Sequence, residues 1–295
     1  MVKIIILLFN IIISALITIF GFHQNVGISI LIGICLFLGI LLIEAIIFFG
    51  ILIIMGIGKN ADVENTKYHK GYRRVFNLYI RFLNSLFNVK FEKKGFDKIP
   101  KGPVIFVANH RSNMDPIVME EALSKWDLVF VGKKSLFKIP FFGKIINYIG
   151  YQRINSNFLI EKTPAEVFQD KKHDLQTIKN CIDIVNKQGV SIGIYPEAMR
   201  NFQDKVLLEF KHGCFHIARK TQVPIVVMSL KGTEDFKSKV LFKRHKVELN
   251  VLDVIDASHY SSLNNDEIAK EIYDMIYEDI KDYYIKYENK KKGKE

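Results

Sequence analysis

The chain has 295 residues, 49% of them hydrophobic, and a formal net charge of +11, enough for one substantial α/β domain with an appendage. The basic excess suits an anionic membrane surface, phosphorylated substrates or nucleic acid, and the absence of any zinc-finger, RRM-like or helix-turn-helix pattern speaks against nucleic acid. Cys35, Cys181 and Cys214 form no C-x-x-C pair, which argues against a disulfide framework or a thiolate metal site and suits a reducing compartment.

Residues 1–58 read as a membrane hairpin of two apolar helices. From Ile4 to Phe20 only Asn10, Ser14 and Thr18 are polar, and from Val26 to Ile57 the only ionisable residue is Glu44. A bilayer-crossing helix needs about 20 residues. No small-x-small cleavage site follows the first run, so it is not read as a removable signal. Two arrangements fit: two spans with both termini inside, or a re-entrant hairpin in one leaflet. The link Phe22-His23-Gln24-Asn25 has no Lys or Arg, whereas Lys59, Lys67, Lys70, Arg73 and Arg74 follow the second run. By the positive-inside rule the rest of the chain lies on the cytoplasmic face of the cell membrane. Glu44 is costly against lipid. It packs against the other helix or meets a partner or lipid head group.

Residues 59–90 read as a basic amphipathic helix. Tyr72, Val75, Phe76, Tyr79, Phe82, Leu83 and Leu86 recur at intervals of three and four, with Arg73, Arg74 and Arg81 among the polar positions. Such a helix suits a bilayer interface or packs on the following domain.

Residues 91–288 alternate apolar runs with helical patterns. Residues 103–108, 128–131, 190–195, 224–230 and 247–255 read as strands. Leu175, Ile178, Cys181, Ile182 and Val185 mark one helical face, and Ile268, Ile272, Ile276 and Ile280 another. The fold class is α/β, a mostly parallel sheet flanked by helices. Residues 289–295 read as a disordered lysine-rich tail.

The sharpest chemical feature is Asn109-His110-Arg111-Ser112-Asn113-Met114-Asp115-Pro116, directly after an apolar strand. On a continuous helix residues five apart point about 140° away from each other, so His110 and Asp115 meet only through a turn. Ser112, Asn113, Asp115 and Pro116 are turn and helix-start residues. The pair would then sit at the strand's C-terminal end, where open α/β sheets carry their sites. The plainer reading makes Asp115 a helix N-cap and His110 an ordinary loop residue. A second feature, Tyr195-Pro196-Glu197-Ala198-Met199-Arg200, also follows a strand. Its guanidinium suits a phosphate; alternatively Glu197 and Arg200 form a surface ion pair of little worth.

In order and spacing these segments resemble the glycerolipid acyltransferase family, most closely the bacterial 1-acylglycerol-3-phosphate acyltransferases. Asn109, His110 and Asp115 match the family's Asn-His-x4-Asp block. Tyr195 to Arg200 matches its Phe-Pro-Glu-Gly-Thr-Arg block, with Ala198 and Met199 replacing Gly and Thr. Val223-Pro224-Ile225-Val226 matches its Val-Pro-Ile block, Phe210-Lys211-His212-Gly213 its Phe-Lys-x-Gly segment, and Lys133, Lys134, Leu136, Pro140 and Gly143 its Lys-rich Pro-x-x-Gly segment. Arg153 aligns with the Arg that ends the family's second block. The stretch 155–172 is longer and more polar than the family usually has there, a solvated loop or a substrate lid.

The resemblance implies transfer of a fatty acyl group from acyl-ACP or acyl-CoA to the sn-2 hydroxyl of lysophosphatidic acid. An imidazole ordinarily titrates near neutrality and suits a general base. His110 would take the acceptor's proton and Asp115 would orient the ring. With no Gly-x-Ser-x-Gly elbow, transfer is expected to be direct. The acceptor phosphate would be held by Arg153 and Arg200 with Lys134. Glu197 would orient an acceptor hydroxyl or Arg200, and Asn109 belongs to the same substrate-binding set. No cofactor and no metal are expected; the partners are a lysolipid, acyl carrier protein or coenzyme A thioester, and membrane lipids. The rivals are a family member using another lysophospholipid or glycolipid, a non-catalytic membrane lipid-binding protein, and a Ser/His hydrolase.

Overall fold

A computed structural model describes residues 2–21, 26–56, 67–140, 142–155, 164–201, 205–234 and 244–292. The chain divides into two units, Met1–Gly58 and Lys59–Glu295.

In the first unit, apolar residues at nearly every position favour helix, which satisfies its own backbone without water. Helices α1 (Val2–Gly21) and α2 (Val26–Gly56) form and pack on each other. Their polar exceptions meet between them: Asn10 Nδ2 donates to Glu44 Oε2 at 3.1 Å. Glu44 therefore engages the other helix. Outward residues such as Phe9, Leu31 and Leu42 are exposed. Among the described residues one helix is long and apolar enough to cross a membrane, with a mean hydropathy of 2.5 over Gly27–Glu44. Within the 20-residue α1 the apolar stretch so identified is Leu8–Ile19, and α1 and α2 are the pair of apolar helices the sequence led one to expect. The link 22–25 and Lys59 lie outside the described residues.

The second unit begins with α3 (Lys70–Leu86). Its Tyr72, Phe76 and Ile80 are buried, so one face packs on the domain. Arg73 does not face lipid: it is 2% exposed and pairs with Glu120 at 2.7 Å. Tyr151 Oη donates to the other Glu120 oxygen and Arg73 to the Trp126 carbonyl. Removing one partner of such a buried pair strands a charge, at a cost of about 3–5 kcal/mol.

Strand β1 (Val89–Lys94), β2 (Ile105–Ala108), α4 (Asp115–Ala122), β3 (Leu128–Lys133), α5 (Lys134–Phe137), α6 (Phe142–Ile149), β4 (Gln152–Ile154), α7 (Pro164–Gln188), β5 (Ser191–Ile194), α8 (Gly213–Thr221), β6 (Ile225–Lys231), β7 (His245–Ile255), α9 (Ala257–Ser261) and α10 (Asn265–Lys292) follow. The strands form one seven-stranded sheet in the order β1-β7-β6-β2-β5-β3-β4. Only β6 and β7 pair antiparallel, so the sheet is mostly parallel, as read from the alternation of strands and helices. Phe130 on β3 lies opposite Gly193 on β5. A Cβ at Gly193 would sit 2.4 Å from the Phe130 ring, so glycine is what lets that ring lie across β5.

Three helical expectations change. In α7 Leu175 is 61% exposed while Cys181, Ile184 and Val185 are buried; the buried face is rotated from the one the apolar pattern suggested. Residues 164–172 of the expected polar loop belong to α7, and 156–163 lie outside the described residues. In α10, Ile268, Ile272, Ile276 and Ile280 are buried. That helix continues through Lys292, so 289–292 are helical rather than a disordered tail, and 293–295 lie outside the described residues.

Candidate active site

Strands β2, β3, β5 and β6 run parallel, so their C-terminal ends share one edge. His110 follows β2, Glu197 follows β5, Thr233 follows β6, and Lys133 ends β3. The sheet itself thus gathers residues distant in sequence where such sheets place their sites.

The turn after β2 closes when Asp115 N donates to the Ser112 carbonyl at 3.2 Å. The N-cap of α4 is Met114, without a side-chain cap. Asp115 instead folds its carboxylate back over the turn. Its Oδ2 lies 2.8 Å from His110 Nδ1 and accepts the backbone N–H groups of Arg111 at 2.7 Å and Ser112 at 2.8 Å. Its Oδ1 accepts the Thr233 hydroxyl. These donors use the acceptor capacity of a carboxylate. A carboxylate at Nδ1 assigns the neutral imidazole's proton to that nitrogen and leaves the Nε2 lone pair available.

The backbone on either side is held as firmly. Asn109 is 1% exposed. Its Nδ2 donates to the Leu230 carbonyl at 2.9 Å, and its Oδ1 accepts Leu230 N at 2.8 Å, tying the end of β2 to β6. Glu197 is 2% exposed; it accepts His110 N at 2.6 Å and Leu208 N at 3.0 Å. Burial pushes the Glu197 carboxyl up to about 8, against the opposing pull of those two N–H groups. The His110 ring stacks on Tyr195, with centroids 4.4 Å apart and planes 21° from parallel, and Tyr195 stacks in turn on Phe130.

A cavity of about 330 Å³ opens beside His110. Phe130, Leu136, Ile178 and Ile217 give it apolar walls, while Lys133, Arg200 and Lys211 bring positive charge. Burial lowers the Lys133 pKa, and the Arg200 charge lowers it further. Such a wall suits an amphiphile with an anionic end.

The expected site residues part company here. His110 and Arg200 line the cavity, with Asp115 held behind the imidazole. Asn109 and Glu197 are committed to backbone groups instead of lining it. Lys134 and Arg153 are not part of the lining either: Lys134 is exposed at the start of α5, and Arg153 Nη2 lies 2.9 Å from His173 Nε2. Sequence reasoning matched Lys133 and Lys211 within their segments without giving them a role, and it missed Thr233 entirely. Which of the adjacent Lys133 and Lys134 faces the cavity depends on where β3 passes into α5. Among the described residues no group of three or more His, Cys, Asp or Glu is placed to hold a metal ion.

The structure thus places a histidine–aspartate pair at the carboxyl edge of a parallel sheet, beside a part-apolar and part-basic cavity. Residues 90–231 match the family model described as Acyltransferase. The 1-acyl-sn-glycerol-3-phosphate acyltransferase of Escherichia coli (strain K12) is 32% identical over 188 residues, covering 63% of this chain and 71% of the relative. The protein of the same name from Haemophilus influenzae is 29% identical over 195 residues, covering 66% and 75%. The chain belongs to the acyltransferase family and is an acyltransferase-family enzyme. Its fold is shared with the crystal structure of the 1-acyl-sn-glycerophosphate (LPA) acyltransferase from Thermotoga maritima. That match has a TM-score of 0.56 and 21% identity, covering 81% of this chain and 91% of that one.

Proposed function

We propose that this enzyme transfers a fatty acyl group from acyl-ACP or acyl-CoA to the sn-2 hydroxyl of lysophosphatidic acid, forming phosphatidic acid in phospholipid biosynthesis. The observation that carries the reading is the 2.8 Å contact between His110 Nδ1 and Asp115 Oδ2, with the imidazole at the wall of the cavity. His110 Nε2 takes the proton of the acceptor hydroxyl as its oxygen attacks the thioester carbonyl. Asp115 holds the tautomer and stabilises the imidazolium that forms. The carbon–sulfur bond then breaks, and the proton passes from His110 to the leaving thiolate. The new ester and the free thiol balance the reaction without an acyl-enzyme.

Arg200 with Lys133 and Lys211 receives the acceptor phosphate. Bringing Lys133 and Arg200 together is unfavourable, and an anion between them relieves the repulsion. Lys134 and Arg153 receive no phosphate role on this geometry. Asn109 and Glu197 act as positioning residues for His110. The α1–α2 unit anchors the enzyme in the cell membrane with the catalytic unit on the cytoplasmic face. There the apolar substrate and product remain in the bilayer and are met at raised local concentration. The same-family alternative, another lysophospholipid or glycolipid acceptor, draws on Ala198 and Met199 standing where the family has Gly and Thr.

The test is an acceptor panel with both thioester donors on wild type and His110→Ala. Loss of general-base catalysis is expected to lower turnover about 100- to 10,000-fold in a chain that remains folded. Turnover by His110→Ala close to wild type would remove the base. Preference for a phosphate-free acceptor would move the enzyme to the alternative.

A further inference from the structure

We propose that the last turns of α10 complete the catalytic turn, with Arg111, Tyr284 and Glu288 acting as positioning residues for His110; this rests on the reading of His110 as the base. The family match ends at residue 231, so the elements invoked on α10 lie beyond it.

Arg111 sits between the members of the His110–Asp115 pair and is anchored at both ends. Its backbone N–H donates to Asp115 Oδ2 at 2.7 Å. Its guanidinium reaches away from the cavity: Nη2 donates to Glu288 Oε1 at 2.8 Å, and Nη1 donates to the carbonyls of Lys205 at 2.8 Å and Val206 at 3.3 Å. The same group lies 4.1 Å from the centroid of the Tyr284 ring. The Arg111 side chain is only 6% exposed and that of Glu288 17%.

A second route runs from the same helix to the other neighbour of His110. Tyr284 is buried, and its hydroxyl donates to the Leu230 carbonyl at 3.1 Å. Leu230 is the residue whose backbone the Asn109 amide grips on both sides. The helix thus reaches Asn109 through Leu230 and Arg111 directly, the two residues that flank the base. Ile268, Ile272, Ile276 and Ile280 hold α10 to the domain independently of its end. Releasing Glu288 therefore loosens the turn without detaching the helix. Misplacing a reacting group by about 1 Å costs on the order of 100-fold in rate, so partial loosening is expected to act on kcat.

The experiment is a double-mutant cycle in the full chain, reconstituted with its acceptor, using Arg111→Met, Glu288→Ala and the combination. Arg111→Met keeps the backbone N–H to Asp115 and removes only the guanidinium. Glu288→Ala is expected to lower kcat about tenfold, with KM for both substrates within about twofold. In the Arg111→Met background the same change is expected to cost less than about twofold, because the shared contact is already gone. Glu288→Gln, whose amide oxygen still accepts from Nη2, is expected to recover most of the loss. A kcat for Glu288→Ala equal to wild type, a loss confined to KM, or equal losses in both backgrounds would overturn the proposal. His110→Ala in the same series separates the two readings. An active His110→Ala removes the base itself, whereas an inactive one beside a fully active Glu288→Ala removes only the anchor.

Discussion

The turn after β2 and the cavity wall beside it are built from different kinds of side chain. In the turn, polar groups are committed to partners fixed by the fold: both Asp115 oxygens, both Asn109 amide atoms, both Glu197 oxygens, His110 N and His110 Nδ1. In the wall, Lys133 at the end of β3 and Arg200 and Lys211 in the connection from β5 to α8 stand among apolar side chains, Lys133 and Arg200 close enough for one charge to depress the other's proton affinity. Chemistry demands fixed geometry, because a displaced base loses rate steeply. Acceptor recognition, on the function proposed above, falls to the longer cationic side chains of the wall.

The largest effect is expected where the committed turn is broken. Asp115→Asn puts an amide that can donate among four groups that all donate, so His110 loses its orientation and its tautomer. Turnover is expected to fall about 10,000-fold, by analogy with the same change in Ser-His-Asp triads, with single-turnover rates as the readout. A loss under tenfold would show the turn to be dispensable. On the wall, Arg200→Ala removes a charge-assisted contact worth about 1.5–3 kcal/mol, so KM for a phosphate-bearing acceptor is expected to rise about 10- to 100-fold. A phosphate-free acceptor is expected to be unaffected. Equal losses on both acceptors would erase the division of labour between wall and turn.

Two smaller effects sharpen the comparison from the stability side. Glu197 ordinarily titrates near 4.5 and is pushed up to about 8 by burial. Between those values the folded chain keeps a proton that the unfolded chain has released. Stability therefore falls as pH rises through that window, by at most about 1.4 kcal/mol per pH unit. Denaturant unfolding across the window measures the slope, and Glu197→Gln is expected to flatten it; parallel slopes would acquit Glu197. Ala198 has φ of +57°, a left-handed conformation costing an L residue about 1–2 kcal/mol. Ala198→Gly is expected to raise stability by about 1 kcal/mol, and a lowered midpoint would contradict the strain.

Much of the sheet was legible because buried parallel strands read as apolar runs. Residues 128–131 and 224–230 fall almost wholly within β3 and β6. Strand β1 was not legible, because four of the six residues of VKFEKK are charged, and β4 has only three residues. The face of α3 that packs on the domain was misjudged because Arg73 looked like a surface charge. Its partner Glu120 lies 47 residues away.

The amino-acid sequence by itself determined the two-part organisation, the α/β class and the His110–Asp115 pair. All of these depend on short-range pattern, and the pair is five residues apart with its turn residues between. Tertiary structure alone decided what secures that pair and what lines the cavity beside it. Thr233 is 118 residues from Asp115, and Glu288 is 177 from Arg111. The choice of Lys133 over Lys134 rests on the geometry where a strand gives way to a helix. No local pattern encodes contacts of that separation, because they exist only once distant segments have docked on a common sheet edge.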